Sequence, residues 1–246
     1  VMTFGVKMRQ RVTVGVGAGT YQENVRVPSH VRLTGVSADT TFIDGSAGTG
    51  VAVLFDNVVD AQVSGFSLRT NPYTGTASVL ITNTASLITV TRNLFDYNFY
   101  GPSILVSHAS SGRVLFNSLP ADVETGILAD GVDTWVDVRN NIIVNTQIGA
   151  LVATAGAQIL SDYNYLGSYL SPNYTNVAAG AHDITDTFGY PYTGLFVLFG
   201  SDPTLLPGSP AIDTADPNAP VPANGGAYAD MGYKELTATP LVLLFG

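Results

Sequence analysis

Short runs in which apolar and polar residues alternate recur along this chain. Val12-Thr13-Val14-Gly15-Val16 and Val25-Arg26-Val27 show the period of two plainly. Gly, Asn, Asp and Ser separate one run from the next. A period of two over a few residues, bounded by turn formers, predicts strands.

The runs themselves repeat. One register is marked by asparagine before apolar residues: Asn93-Leu94-Phe95, Asn117-Ser118-Leu119, Asn141-Ile142-Ile143 and Asn164-Tyr165-Leu166, with steps of 24, 24 and 23 residues. A second is marked by leucine in Val53-Leu54-Phe55, Val79-Leu80-Ile81, Ile104-Leu105-Val106, Ile127-Leu128-Ala129 and Ala150-Leu151-Val152, with steps of 26, 25, 23 and 23. A unit this short, made of strands and tight turns, cannot bury its apolar face alone and must stack on its neighbours. The leucine spacing of helical leucine-rich repeats is missing. The expectation is an all-β parallel solenoid with coils of about 24 residues.

Composition agrees. Of 246 residues, 46% are apolar and only 12% charged, which excludes disorder. Charge is uneven: residues 1–139 carry nine basic and eleven acidic side chains, residues 140–246 one and eight. With the proline-rich run from Pro203 to Pro222, this predicts coils over 1–167 and a loop-rich segment, 168–246, packed on the outer face of the same domain. A net charge of −9 without a basic stripe argues against nucleic acid. No cysteine is present for disulfides or thiol chemistry, and no apolar stretch reaches the length of a membrane span. The first residues lack the pattern of a secretory leader, and a chain starting at Val1 reads as a mature form or an excised domain.

Gly19-Thr20-Tyr21-Gln22-Glu23-Asn24-Val25, Val31-Arg32-Leu33-Thr34-Gly35 and Thr41-Phe42-Ile43-Asp44-Gly45 resemble the first coils of secreted right-handed parallel β-helix proteins of the pectate-lyase-like and pectinesterase-like superfamily. Gly208-Ser209-Pro210-Ala211-Ile212-Asp213 and Asp230-Met231-Gly232-Tyr233 resemble the closing motif of bacterial surface β-helix proteins. The resemblance spans nearly the whole chain. It implies a right-handed β-helix in an extracellular or cell-surface setting and says little about chemistry.

The repeat assigns sides. Val90, Val114, Val138 and Ser161, three residues before each Asn, and Phe95, Leu119, Ile143 and Leu166, two after, should fill the interior. The asparagines are expected at a bend, where Asn tolerates left-handed geometry, with their amides stacked as a hydrogen-bond ladder. Alternation turns Leu54, Leu80, Leu105, Leu128 and Leu151 outward. Five leucines in one row would form a large apolar patch, so the C-terminal segment, or failing that another subunit, is expected to cover it. On another outward face, Arg113 should lie beside Asp137 and Arg139 beside Asp162, about 4.8 Å apart.

Those four charges are the candidate chemistry, read either as surface ion pairs or as a site for an acidic sugar. A lyase needs acidic residues for calcium and a base beside them; the residue types fit, the spacing is not diagnostic. Asp56 and Asp130 share a row but lie three coils apart, too far for glycoside hydrolysis. Trp135, with Tyr73, Tyr97 and Tyr100, could stack on sugar rings. His30, His108 and His182 suggest no metal site, no cofactor is called for, and calcium stays open through the tail aspartates. Asp213 and Asp230 are expected to accept from backbone amides. Gly15-x-Gly17-x-Gly19 precedes no helix and is no phosphate cradle; its glycines should serve turns of the first coil. The leading expectation is a non-catalytic surface module with a structural, adhesive or glycan-binding role. A polysaccharide lyase or hydrolase and a self-assembling filament or coat subunit are the alternatives.

Overall fold

A computed structural model describes residues 10–96, 98–185, 195–198, 202–223 and 225–236. These residues form strands and turns and no helix. The chain winds as a parallel β-solenoid, each coil laying one strand on each of three faces before the next coil begins.

The first face stacks Val12–Val16, Val31–Gly35, Gln62–Ser64, Ile88–Thr91, Ser111–Leu115, Trp135–Arg139 and Gln158–Asp162. The second runs from Gly19–Tyr21 through Thr41–Asp44, Ser67–Arg69, Leu94–Phe95 and Ser118–Leu119 to Tyr165–Ser168 and Ile184–Thr185. The third holds Val25–Arg26, Val53–Asp56, Val79–Thr82, Asn98–Ser107, Val123–Asp130 and Tyr174–Thr175. The long strand Ile142–Ala153 turns the corner: its start pairs with Ser118 and Leu119, its end with Val123–Asp130. Coils therefore continue beyond residue 167, into Tyr174–Thr175 and Ile184–Thr185.

The spacing near 24 residues holds where it was read. Arg113 pairs with Asp137, and Asp137 with Leu160. Earlier coils are uneven: Val12 pairs with Val31, Arg32 with Gln62 and Gln62 with Thr89. Insertions at the corners leave the strand register intact, because only the strands must match their neighbours.

The interior follows the alternation. Val90, Val114, Val138, Leu119, Ile143 and Leu166 are wholly buried, in one cluster with Phe55, Phe66, Leu68 and Ile104. Ser161 is half-buried and donates its hydroxyl to Asp183.

The asparagine ladder is present. Asn93 Nδ2 donates to Asn117 Oδ1 (3.2 Å), Asn117 to Asn141 (3.0 Å) and Asn141 to Asn164 (3.0 Å). Each Oδ1 also accepts a backbone N–H from the coil before, beginning with Phe66 at 3.1 Å. The ladder ends on a carboxylate: Asp183 Oδ1 accepts the backbone N–H (2.8 Å) and the side-chain amide (3.1 Å) of Asn164. The bend lies one residue earlier than expected. Arg92, Phe116, Asn140 and Tyr163, not the asparagines, take positive φ of 53–60°. The asparagine is kept for its amide, which closes the bend by donating to the carbonyl two residues back in Leu115, Arg139 and Asp162.

The outward leucine row needs one correction. Leu54, Leu80, Leu105 and Leu128 are vertical neighbours and half-buried, each shielded by the next. Leu128 pairs with Val152, however, while Leu151 pairs with Ile127 and is wholly buried. Val123 pairs with Thr146 but Thr125 with Gly149, so the corner strand holds one extra residue, a bulge that shifts the alternation beyond it. The described tail residues do not supply the expected cover. Leu195, Phe196, Leu205, Ala211, Ala215 and Met231 pack instead against Phe116, Ile142, Val144 and Tyr165 at the second face.

Candidate functional site

Outward side chains of the first face form vertical columns. One reads Arg32, Gln62, Thr89, Arg113, Asp137 and Leu160 from coil to coil. The next, two residues on, contains Leu115, Arg139 and Asp162. The expected neighbours Arg113–Asp137 and Arg139–Asp162 are therefore in register.

The side chains pair differently from the register. Asp137, with a side chain only 9% exposed, accepts from Arg113 Nε at 3.3 Å on one oxygen and from Arg139 Nε at 2.8 Å on the other. Arg139 then turns toward the tail, with Nη1 3.5 Å from Asp216 Oδ2. Asp162 forms no ion pair with Arg139 and serves His182 instead, accepting its backbone N–H at 2.9 Å and lying 3.0 Å from its Nδ1. The His182 ring stacks on Tyr163 at 4.3 Å. A carboxylate shared by two guanidiniums was not expected, and it follows from reach: one strand step separates Arg139 and Asp137 along the chain, and one coil separates Arg113 and Asp137.

Electrostatics follow these contacts. The hydrogen bond it donates to Asp137 raises Arg139 above its ordinary value against the opposing effect of burial, with the charges of Asp137, Asp216 and Asp162 adding to it. Asp216 is held below the carboxylate range, first by the backbone amide of Asn218 and then by the side chains of Asn218 and Arg139.

On the other side of Arg113 the face is hollowed into a groove of about 370 Å³. Trp135 and Leu87 stand at its edge, with the small Ser111 between them in the same column. Arg11, Arg32 and Arg113 supply guanidiniums, against one carboxylate, Asp60. Arg11 Nε lies 2.7 Å from Asp60 Oδ2, and His30 Nδ1 lies 3.3 Å away. The hydrogen bond that Arg11 donates to Asp60 lowers the carboxyl of Asp60 and raises Arg11.

Local backbone geometry builds this rim. Gly131 and Asp133 take positive φ, and Thr134 Oγ1 donates to the Asp130 carbonyl at 2.9 Å, making the turn that brings Trp135 into the strand. His30, Asp60 and Leu87 enter their strands at φ 65°, 56° and 55°. For a leucine this conformation costs of order 1–2 kcal/mol, and Leu87 is 69% exposed.

The aromatic candidates are dispersed. Trp135 is in the groove. Tyr100 stands near Tyr73, centroids 6.3 Å apart, where Asn98–Ser107 rounds the corner toward the third face. Tyr97 lies outside the described residues. Among the described residues, no three or more His, Asp or Glu side chains gather closely enough to hold a metal ion. Asp56 and Asp130 occupy one row three coils apart, the first paired with Arg26 at 3.0 Å. Asp213 accepts the Tyr228 amide, and Asp230 those of Asp213 and Leu236, in the roles expected of the closing motif. Of the early glycines, Gly15 lies within Val12–Val16 and Gly19 opens Gly19–Tyr21, leaving Gly17 alone between strands.

The sequence reading missed Arg11, Arg32, Asp60 and Leu87, and took Asp216 only as one of the tail aspartates open to calcium. The first four align with Arg113 and Trp135 only across the uneven early coils, and Asp216 reaches the face from the tail. No protein-family model matches this chain, and no curated protein or solved structure is significantly similar to it.

Proposed function

We propose that the protein is an extracellular or cell-surface solenoid module that holds an acidic glycan along its first face without transforming it. The groove carries this reading: an indole, an exposed leucine and three guanidiniums with one carboxylate, in a chain whose net charge is −9. Positive side chains gathered on one face of an acidic protein favour an anionic ligand. Trp135 offers a flat apolar surface to a sugar ring, and Arg32 and Arg113, three coils or about 14 Å apart, can meet charges spaced along a polymer. The likeness of the first and last coils to secreted β-helix proteins supports the setting.

The non-catalytic part of the reading rests on the neighbouring charges. Both oxygens of Asp137 are taken by guanidiniums, and Arg139 is held between Asp137 and Asp216. Groups so engaged are not poised to move protons.

The test is retention on immobilised polygalacturonate and dextran sulfate beside neutral dextran, with product release followed with and without calcium. Retention on the acidic polymers, falling with salt and with Arg32→Ala, Arg113→Ala or Trp135→Ala, is expected. Equal behaviour on neutral dextran would sink the acidic ligand. Product release abolished by Arg139→Ala and Asp137→Ala would replace this reading with that of a lyase or hydrolase.

A further inference from the structure

The described part of the tail meets the second face at more than one coil. It packs on the later coils, where Tyr233 N–H donates to Ser118 Oγ at 3.2 Å and Gly232 N–H to the Asn140 carbonyl at 2.8 Å. Beside it lies a cleft of about 330 Å³, within the range of small-molecule sites. Phe42 and Leu94, from one outward column, contribute its apolar lining, with Pro120, Ala121 and the tail residue Pro203. None of these residues belongs to the first-face groove.

Arg69, Asp96 and Asp39 bring charge to the lining. Arg69 lies over the Phe42 ring, 5.3 Å from its centroid, with Nε 2.7 Å from Asp96 Oδ2. Asp39 accepts the Tyr233 hydroxyl at 2.8 Å and Lys234 Nζ at 3.0 Å. The four charged side chains remain 35–45% exposed. Each carboxylate of the lining is paired with a cation, Asp96 with Arg69 and Asp39 with Lys234 from the adjoining hollow, so no charge is left unbalanced for an ion. Fixed donors and acceptors are presented beside an apolar lining.

We infer that this cleft is a second binding site, taking a neutral, hydroxyl-rich ring of the size of a pyranose unit. Such a ring has an apolar C–H face for Phe42 and Leu94, and adjacent hydroxyls that can donate to Asp96 or Asp39 and accept from Arg69. Because the ring of Phe42 and the Asp96 carboxylate already hold the guanidinium, little side-chain freedom is lost on binding. Pro203 in the lining comes from the tail, as do Tyr233 and Lys234, which hold Asp39 from the adjoining hollow, so the site is complete only with the tail docked.

The experiment is saturation-transfer NMR on the full chain with methyl glucoside, methyl galactoside, methyl mannoside and galacturonate, with melting curves for each variant. Transfer to at least one neutral methyl glycoside is expected, exceeding that to galacturonate. Arg69→Gln and, as a milder change, Asp96→Asn should each weaken it on the order of tenfold, the loss of one hydrogen bond to a charged group. Arg113→Ala on the first face should leave it unchanged, so failure of the acidic-glycan reading does not carry this site with it. No transfer to any neutral glycoside, stronger transfer to galacturonate, or transfer insensitive to Arg69→Gln and Asp96→Asn in folded protein overturns the inference.

Discussion

Arg139 reaches Asp216 at 3.5 Å across 77 residues of sequence, joining the solenoid's first face to the loop-rich tail. A second bond reinforces the joint next door: Asp216 N–H donates to Asn140 Oδ1 at 2.8 Å. Replacing Arg139 by Ala removes the tail contact and one of the two partners of Asp137. The expected cost is about 1 kcal/mol, that of partly exposed ion pairs, with faster amide exchange at 216–219. Asp216→Ala should reproduce the exchange change and leave Asp137 with both arginines.

The ladder is far less tolerant. Asn141 donates to the Val114 and Arg139 carbonyls at 2.8 Å each and accepts from the buried Asn117 amides. Asn141→Ala strands several buried polar groups at about 1–3 kcal/mol apiece. Urea unfolding should show a loss of at least about 3 kcal/mol, several times that of Arg139→Ala.

Neighbouring residues of one strand should respond unequally. Ile104 is wholly buried and Leu105, beside it, is half-buried in the outward row. Ile104→Ala is expected to cost about 2–5 kcal/mol, and Leu105→Thr under about 1 kcal/mol, in the same unfolding assay.

Leu87 holds a left-handed backbone at the groove rim. Asn takes that conformation more readily, so Leu87→Asn should raise the melting temperature by an amount equivalent to about 1 kcal/mol. If the groove binds glycan through this rim, the same change should weaken retention on acidic polymers.

Acid titration has a definite sign at the closing motif. Burial, with the nearby Asp230 charge adding to it, raises the Glu235 carboxyl above its ordinary value although Asp230 N–H donates to it. Its Oε1 is buried without a hydrogen-bond partner among the described residues. A carboxyl raised on folding binds its proton more tightly in the folded state, so its ionised form destabilises that state above the folded pKa. The penalty disappears below the unfolded value of about 4.3. Glu235→Gln should therefore raise the melting temperature more at pH 7 than at pH 4. Asp39 behaves inversely: Tyr233 and Lys234 lower it against the opposing effect of its burial. Its contribution is present above the unfolded value near 3.9 and is lost as pH falls through the folded one.

Much of the fold was legible because strands in a solenoid must repeat. The asparagine steps located the ladder, and alternation identified Val90, Val114 and Val138 as interior. Counting failed at Leu151, since a bulge adds a residue without leaving a composition mark. It also missed the bend at Arg92 and Phe116, because an asparagine beside a bend reads like one within it. The site was half legible. Arg113, Asp137 and Arg139 lie in evenly spaced coils, whereas Arg32 meets the same column only after steps of 30 and 27 residues. Asp216 carries no repeat at all, and its place depends on how the tail returns.

The row of amides also has a direction. From amide to amide, every rung donates to the later coil and accepts from the earlier one, so this series of bonds closes on a group that gives nothing onward. Asp183 is such a group. Extra coils could be inserted among the asparagines without disturbing the logic, but none could follow this carboxylate in the same column. The height of the column is thus written in a single side chain, and lengthening the protein at that end would begin by changing aspartate to asparagine.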